Sequence, residues 1–204
     1  SPWINDYGTF TIMPVCGQPV FDQDKRASWF SHKAETATPY YYKVYLADYD
    51  VVTELAPTER PAILRFTFPE ADAYVVVDAY DHHSSIQIIP EENKIVGYTT
   101  RNSGGVPENF KNYFVIVFDK PFTYTATFSN DTLPAKKNAT VPVTVKEGQL
   151  AQTDYHTGAV IGFKTGKGEV VHARVASSFI SAEQAELNLE ELGTHSFDAL
   201  VAKG

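Results

Sequence analysis

His32, Lys33 and Glu35 stand together in the stretch FSHKAETATPYYYKV, residues 30–44, just ahead of three consecutive tyrosines. An imidazole beside a carboxylate could share general acid and base work. Glycosidic hydrolysis asks for more: two carboxylates facing each other across a substrate, about 5–10 Å apart. Closeness in sequence does not supply that pair. The preferred reading is that His32 and Glu35 hydrogen-bond the loop that feeds the tyrosine strand. A second polar group, Asp78, Asp81, His82 and His83, has side chains able to ligate a divalent metal. No further ligand stands at a diagnostic spacing, and the group follows a strand, where a polar loop is expected. Asn102-Ser103-Gly104-Gly105 lacks the Lys-Ser/Thr of a phosphate-binding loop and reads as a tight turn. No G-x-S-x-G supports a serine hydrolase. Trp3, beside Asn5, Asp6 and Tyr7, suits a sugar: the indole covers C–H faces while amide and carboxylate groups take hydroxyls.

The elements that must position these groups are strands. Phe122, Tyr124, Ala126 and Phe128 alternate with Thr123, Thr125 and Thr127. That predicts a strand with an apolar face buried and a threonine face in solvent. Leu64, Phe66 and Phe68 alternate with Ile63, Arg65 and Thr67 in the same way. Further strands are expected over 9–15, 41–46, 51–56, 74–79, 85–89, 94–100, 113–118, 141–145, 159–163 and 170–177. Residues such as Pro61, Pro69, Pro121 and Gly148 punctuate them. About a dozen short strands with frequent turns predict a mainly β protein, an antiparallel sandwich. Residues 132–139 read as a polar loop. The helical signal comes late. Ser181 is placed to cap a helix over 182–192, with Gln184 at the reciprocal capping-box position. Leu187, Leu189 and Leu192 would supply its apolar contacts, and Gly193 would end it. Ser196 is placed to cap a second short helix.

The 204 residues suffice for one large β domain. Aromatic residues reach 13%, which favours strands over helices. A net charge of −8 leaves no basic patch to neutralise a phosphate backbone, so nucleic acid is not an expected partner. The single cysteine, Cys16, excludes an internal disulfide framework and reads as a small buried filler. No apolar run reaches the ~18 residues of a membrane span.

Several blocks, in order, resemble glycoside hydrolase family 92, the exo-acting α-mannosidases. Ser1-Pro2-Trp3-Ile4-Asn5-Asp6-Tyr7-Gly8 with Met13-Pro14 looks like that family's PSPW…DYG…MP stretch. Phe30-Ser31-His32-Lys33 with Glu35 follows it, although Tyr40 stands where the family usually has Gly. Glu54-Leu55, Phe66-Thr67-Phe68-Pro69, Asn109-Phe110-Lys111, Phe118-Asp119-Lys120-Pro121-Phe122 and Ser178-Phe179-Ile180-Ser181 continue the likeness. The resemblance implies an N-terminal β-sandwich over 1–180, lacking its first strands, and a helical linker over 181–204 toward a catalytic domain outside this chain. It implies a calcium-dependent, inverting exo-α-mannosidase, with α-1,2 linkage one possibility and N-glycan mannose as substrate. The catalytic acid, base and calcium would belong to the other domain, leaving no catalytic or metal-binding residue here. Trp3 and Asp6 would contact substrate, and family habit places such enzymes outside the cell or in the periplasm. Two other classes compete: a stand-alone carbohydrate-binding module, and a purely structural sandwich.

Overall fold

The computed structural model describes residues 9–131 and 141–204. Its strands are Thr11–Cys16 (β1), Thr36–Thr38 (β2), Tyr41–Leu46 (β3), Val51–Pro57 (β4), Ala62–Phe68 (β5), Ala71–Asp78 (β6) and Ser84–Ile89 (β7). Lys94–Thr99 (β8), Asn112–Phe118 (β9), Tyr124–Asn130 (β10), Thr144–Glu147 (β11), Ala151–Asp154 (β12), His156–Thr165 (β13) and Glu169–Ser178 (β14) complete them. Two helices follow, Ala182–Glu190 (α1) and Phe197–Val201 (α2). The protein is mainly β, as expected. A five-stranded sheet runs β1-β6-β13-β10-β11 and a nine-stranded sheet runs β12-β7-β8-β9-β14-β5-β4-β3-β2. The strand pairings are antiparallel throughout. Of these, β2 and β12 are additional to the strands that the alternation marks out. Both are short edge strands, too brief to show a period.

The main core lies between the sheets. Phe66, Phe68, Phe114 and Ile116 from the larger sheet meet Val75, Val77 and Ile161 from the smaller. Each is almost wholly buried, worth about 1.5–3 kcal/mol apiece against exposure. In β10 the expected apolar face is buried, but the threonine face is covered too. Thr127 pairs with Ala159, which pairs with Val77, so the threonine row shares the face of the main core and Thr127 is fully buried. Phe128 and Tyr124 instead join Val15, Val76 and Val160 in a second cluster on the outer face, beneath Met13, Phe21 and Val143. Alternation shows that a strand has two faces. It does not show that loops cover the outer one.

The larger sheet is likewise covered on its outside. Ile63, expected in solvent, is buried against Leu192 and Phe197. Both helices pack back on this face, α1 against β14 and β9, α2 against β4 and β5. Ser181 caps α1 by accepting from the Gln184 N–H, and Ser196 caps α2 through the Ala199 N–H. The Gln184 side chain does not close a capping box; its amide donates to Asn188 Oδ1 at 3.0 Å. Leu187, expected to pack, points outward and is 56% exposed, while Leu192 is buried. Gly193 takes φ +51°, ending the helical run after Leu192.

Candidate functional site

His32 and Glu35 lie beside β2, at one edge of the larger sheet. His32 Nδ1 approaches Glu35 Oε2 at 2.7 Å, and the Tyr42 hydroxyl donates to Glu35 Oε1 at 2.5 Å. Ser31 caps the intervening 3-10 turn through the Lys33 N–H. The cluster therefore orders the loop entering β3. The Tyr42 bond, followed by that from His32, holds the Glu35 carboxyl below its ordinary range. A general acid needs the opposite shift.

The second group sits at the other edge, where the two sheets meet. β6 ends at Asp78 beside Gly158 of β13; β7 begins at Ser84, opposite Thr99 of β8 and Asp154 of β12. Asn112 and Ser178 close the same end of the sandwich. Loops 79–83, 100–111 and 179–181 thus gather at one end, together with Thr9, where the described N-terminal segment begins. Thr9 is tied there by the Asn112 amide, at 2.8 Å.

Asp78 is fully buried at the root of this end. Its Oδ2 pairs with Arg26, which is itself 4% exposed. Its Oδ1 accepts from His156 Nε2 at 2.7 Å and from the Tyr80 N–H at 2.9 Å. Burial alone would push this carboxyl up. The His156 hydrogen bond and charge, with Arg26, outweigh burial and bring it below its ordinary value. The Tyr80 ring lies between the His156 imidazole, with centroids 6.1 Å apart, and the Arg101 guanidinium, 4.6 Å from its centroid. A buried carboxylate held by one guanidinium, one imidazole and one backbone N–H makes a brace across the 21–26 loop, β6 and β13.

The metal-ligating types in the DAYDHH stretch do not converge. Asp78 turns inward, Asp81 approaches Arg101 and His82 at 3.7 Å, and the two histidines line different clefts. His82 borders an open cleft of about 300 Å³ with Asn102, Glu108 and Phe110. His83 borders another, of about 470 Å³, with Asp131, Thr153, Asp154 and Tyr155. No group of three or more His, Cys, Asp or Glu side chains converges on a metal position among the described residues. Asn102-Ser103-Gly104-Gly105 is a turn: Asn102 Oδ1 accepts from the Gly104 N–H, and both glycines take positive φ. Cys16 is half-buried, and burial followed by the charge of Asp50 pushes its thiol up to about 11, which keeps it protonated and unreactive. Trp3 and Asp6, the expected sugar contacts, lie outside the described residues, as do residues 132–139.

Sequence reading missed Arg26, His156 and Tyr155. The available signal was the break in β pattern at Asp154-Tyr155-His156, an acid, an aromatic and an imidazole in a row. It says nothing about Asp78, 78 positions from His156.

A family model described as the glycosyl hydrolase family 92 N-terminal domain matches residues 1–178. The chain belongs to glycosyl hydrolase family 92. A family GH92 inverting mannosidase from Bacteroides thetaiotaomicron is 37% identical, with a TM-score of 0.83 over 95% of this chain and 25% of that one. A family GH92 α-mannosidase from the same organism, solved in complex with mannoimidazole, is 28% identical, with a TM-score of 0.79 over 96% and 27%. A third GH92 glycosyl hydrolase, 24% identical at a TM-score of 0.76, shows the shared fold alone. Comparison with curated protein sequences gives no match. The chain spans about a quarter of the length of these GH92 structures. The sandwich described above is the family 92 N-terminal domain, and the clefts beside His82 and His83 open at its loop end.

Proposed function

We propose that this domain serves an exo-α-mannosidase by packing against a separate catalytic domain and presenting its loop end to the mannoside. The observation that carries the reading is the match over residues 1–178 to the N-terminal domain of a family whose similar solved members are mannosidases. The surface agrees with a docked role. Ile180 is 77% exposed and stands between Phe179, also exposed, and α1. Large apolar side chains left in water at a domain's end fit burial against a partner surface. The partner is the enzyme's own helical catalytic domain, which supplies the acid and base. Inversion requires those two groups on opposite sides of the sugar with room for water. In this reading, Trp3 and Asp6 contact the terminal mannose.

Calcium, α-1,2 preference, action on glycan mannose and a secreted or periplasmic setting belong to the same proposal. The described residues bring together no side-chain set fitted to calcium, so no step here runs through the ion. No helix among the described residues is long and apolar enough to cross a membrane.

The test is mannose release from α-mannobiosides in the presence of calcium, by the intact gene product and by this 204-residue chain alone. Release by the intact protein and none by the chain is expected. Release by the chain alone would place the chemistry within these residues and overturn the reading, as would silence from the intact protein. Trp3→Ala in the intact protein is expected to raise KM and lower kcat/KM.

A further inference from the structure

The cleft bordered by His83, Asp131, Thr153, Asp154 and Tyr155 lies at the corner where the chain crosses from β12 in the larger sheet to β13 in the smaller. We infer that this corner is a sugar subsite, which holds one mannopyranose unit of the substrate glycan against the Tyr155 ring. The inference rests on the mannosidase reading and adds a place on this chain where the glycan is gripped.

Its support is local. Tyr155 is flanked by two imidazoles, with ring centroids 5.9 Å from His82 and 5.5 Å from His83. An aromatic ring stacks on the apolar C–H face of a pyranose. Carboxylates, a hydroxyl and imidazoles around it can accept from or donate to the ring hydroxyls. Those groups are present: Asp154, Asp131, Thr153 and His83, the last three exposed. About 470 Å³ of open space falls within the range of small-molecule sites. Two carboxylates in a chain of net charge −8 disfavour an anionic ligand and suit a neutral polyol.

The histidines are held there at a cost. Tyr80, His82 and His83 all take positive φ, +56°, +72° and +74°, a region that residues other than glycine occupy at a penalty. The loop stays because its backbone is pinned on both sides. The His83 N–H donates to the Tyr155 carbonyl at 2.9 Å, the Thr100 N–H donates to the His83 carbonyl at 3.0 Å, and the Ala79 N–H donates to the Thr157 carbonyl at 3.0 Å. The Asp78 brace fixes Tyr80 and His156 immediately below. Tyr155 and His83 are therefore presented on a rigid corner, which lowers the ordering cost of binding.

The experiment is an NMR titration of the 204-residue chain, following the aromatic C–H signals of Tyr155, His82 and His83. Methyl α-mannopyranoside and an α-mannobioside are the probes, with methyl β-galactopyranoside and calcium chloride as controls. Saturable shifts at Tyr155 and His83 with the mannosides, larger than with the galactoside, are expected. Tyr155→Leu should weaken binding about tenfold, the loss of one contact worth about 1.4 kcal/mol. His83→Gly guards against misfolding, because glycine adopts the positive φ freely; it should fold as the parent does and bind about tenfold more weakly. No shift at these rings, shifts confined to other residues, an equal response to the galactoside, or a response to calcium chloride alone would overturn the subsite. None of these outcomes depends on mannose release by the intact protein, so the subsite and the mannosidase reading can fail separately.

Discussion

Asp78 shows how far a residue's role depends on neighbours distant in sequence. In sequence it heads a polar run that could suggest a metal site. In space it closes an ion pair with Arg26 and a hydrogen bond with His156. Removing one charge of such a buried pair leaves the other unpaired, which costs about 3–5 kcal/mol. Asp78→Asn should therefore lower the urea midpoint sharply at neutral pH. The sign with pH follows from the depressed carboxyl. A carboxyl whose folded pKa lies below its unfolded value of ~3.9 stabilises the fold fully above that value. The contribution is lost as pH falls through the folded pKa. Urea midpoints of parent and Asp78→Asn should therefore differ most near neutrality and converge in acid; a constant difference across that range would remove the brace as an electrostatic device. His32 and Glu35 are the opposite case. Their spacing of three positions already brings them within hydrogen-bonding range, so this cluster was legible from sequence.

At the scale of elements, alternation located most strands but not what covers them. β13 is buried on both faces from Thr157 to Phe163. Its apolar run, with Gly158 and Gly162 inserted, records that double burial. Gly158 has a specific reason to lack a side chain: a Cβ there would come within 2.0 Å of Phe128 Cζ. Gly158→Ala should force Phe128 off its position in the outer cluster. Overpacking of this kind costs about 1–3 kcal/mol, read as a drop in denaturant midpoint. Unchanged stability would mean that the outer cluster tolerates repacking. The helices were legible at their caps, Ser181 and Ser196, where local chemistry decides. Their docking was not, because it rests on partners scattered along the chain. Arg65 illustrates this. It grips Glu54 through two hydrogen bonds, reaches Asp198 at 2.8 Å and lies 4.1 Å above the Phe197 ring. Three separate segments meet on one guanidinium, and none of those pairings has a sequence period.

For the whole molecule, the sandwich was legible from alternation and turn residues, and the family likeness because it rests on ordered blocks of residues. The placement of the loops at one end was not, since that depends on register across both sheets. If Ile180 is the apolar contact toward a catalytic domain, it matters little to this domain by itself. Ile180→Asp should leave the unfolding midpoint of the 204-residue chain within about 0.5 kcal/mol of the parent, as for an exposed site. In the intact protein the same change should reduce mannose release and raise sensitivity to proteolysis at the domain junction. Equal activity of the two intact proteins would mean that the docked surface lies elsewhere.

The sheet margins carry one more consequence, for life in a crowded solution. Among the described residues, two sheets offer four margins on which a foreign strand could grow. β2 offers three residues, β11 and β12 four each, and β1 carries Pro14 in its middle, where no N–H is available. β11 also bears the exposed charges of Lys146 and Glu147. Stubby, charged or proline-blocked margins give a second copy little to zip onto. Among the described residues, a fold this rich in strands thus leaves only short or interrupted edges open to pairing with another chain.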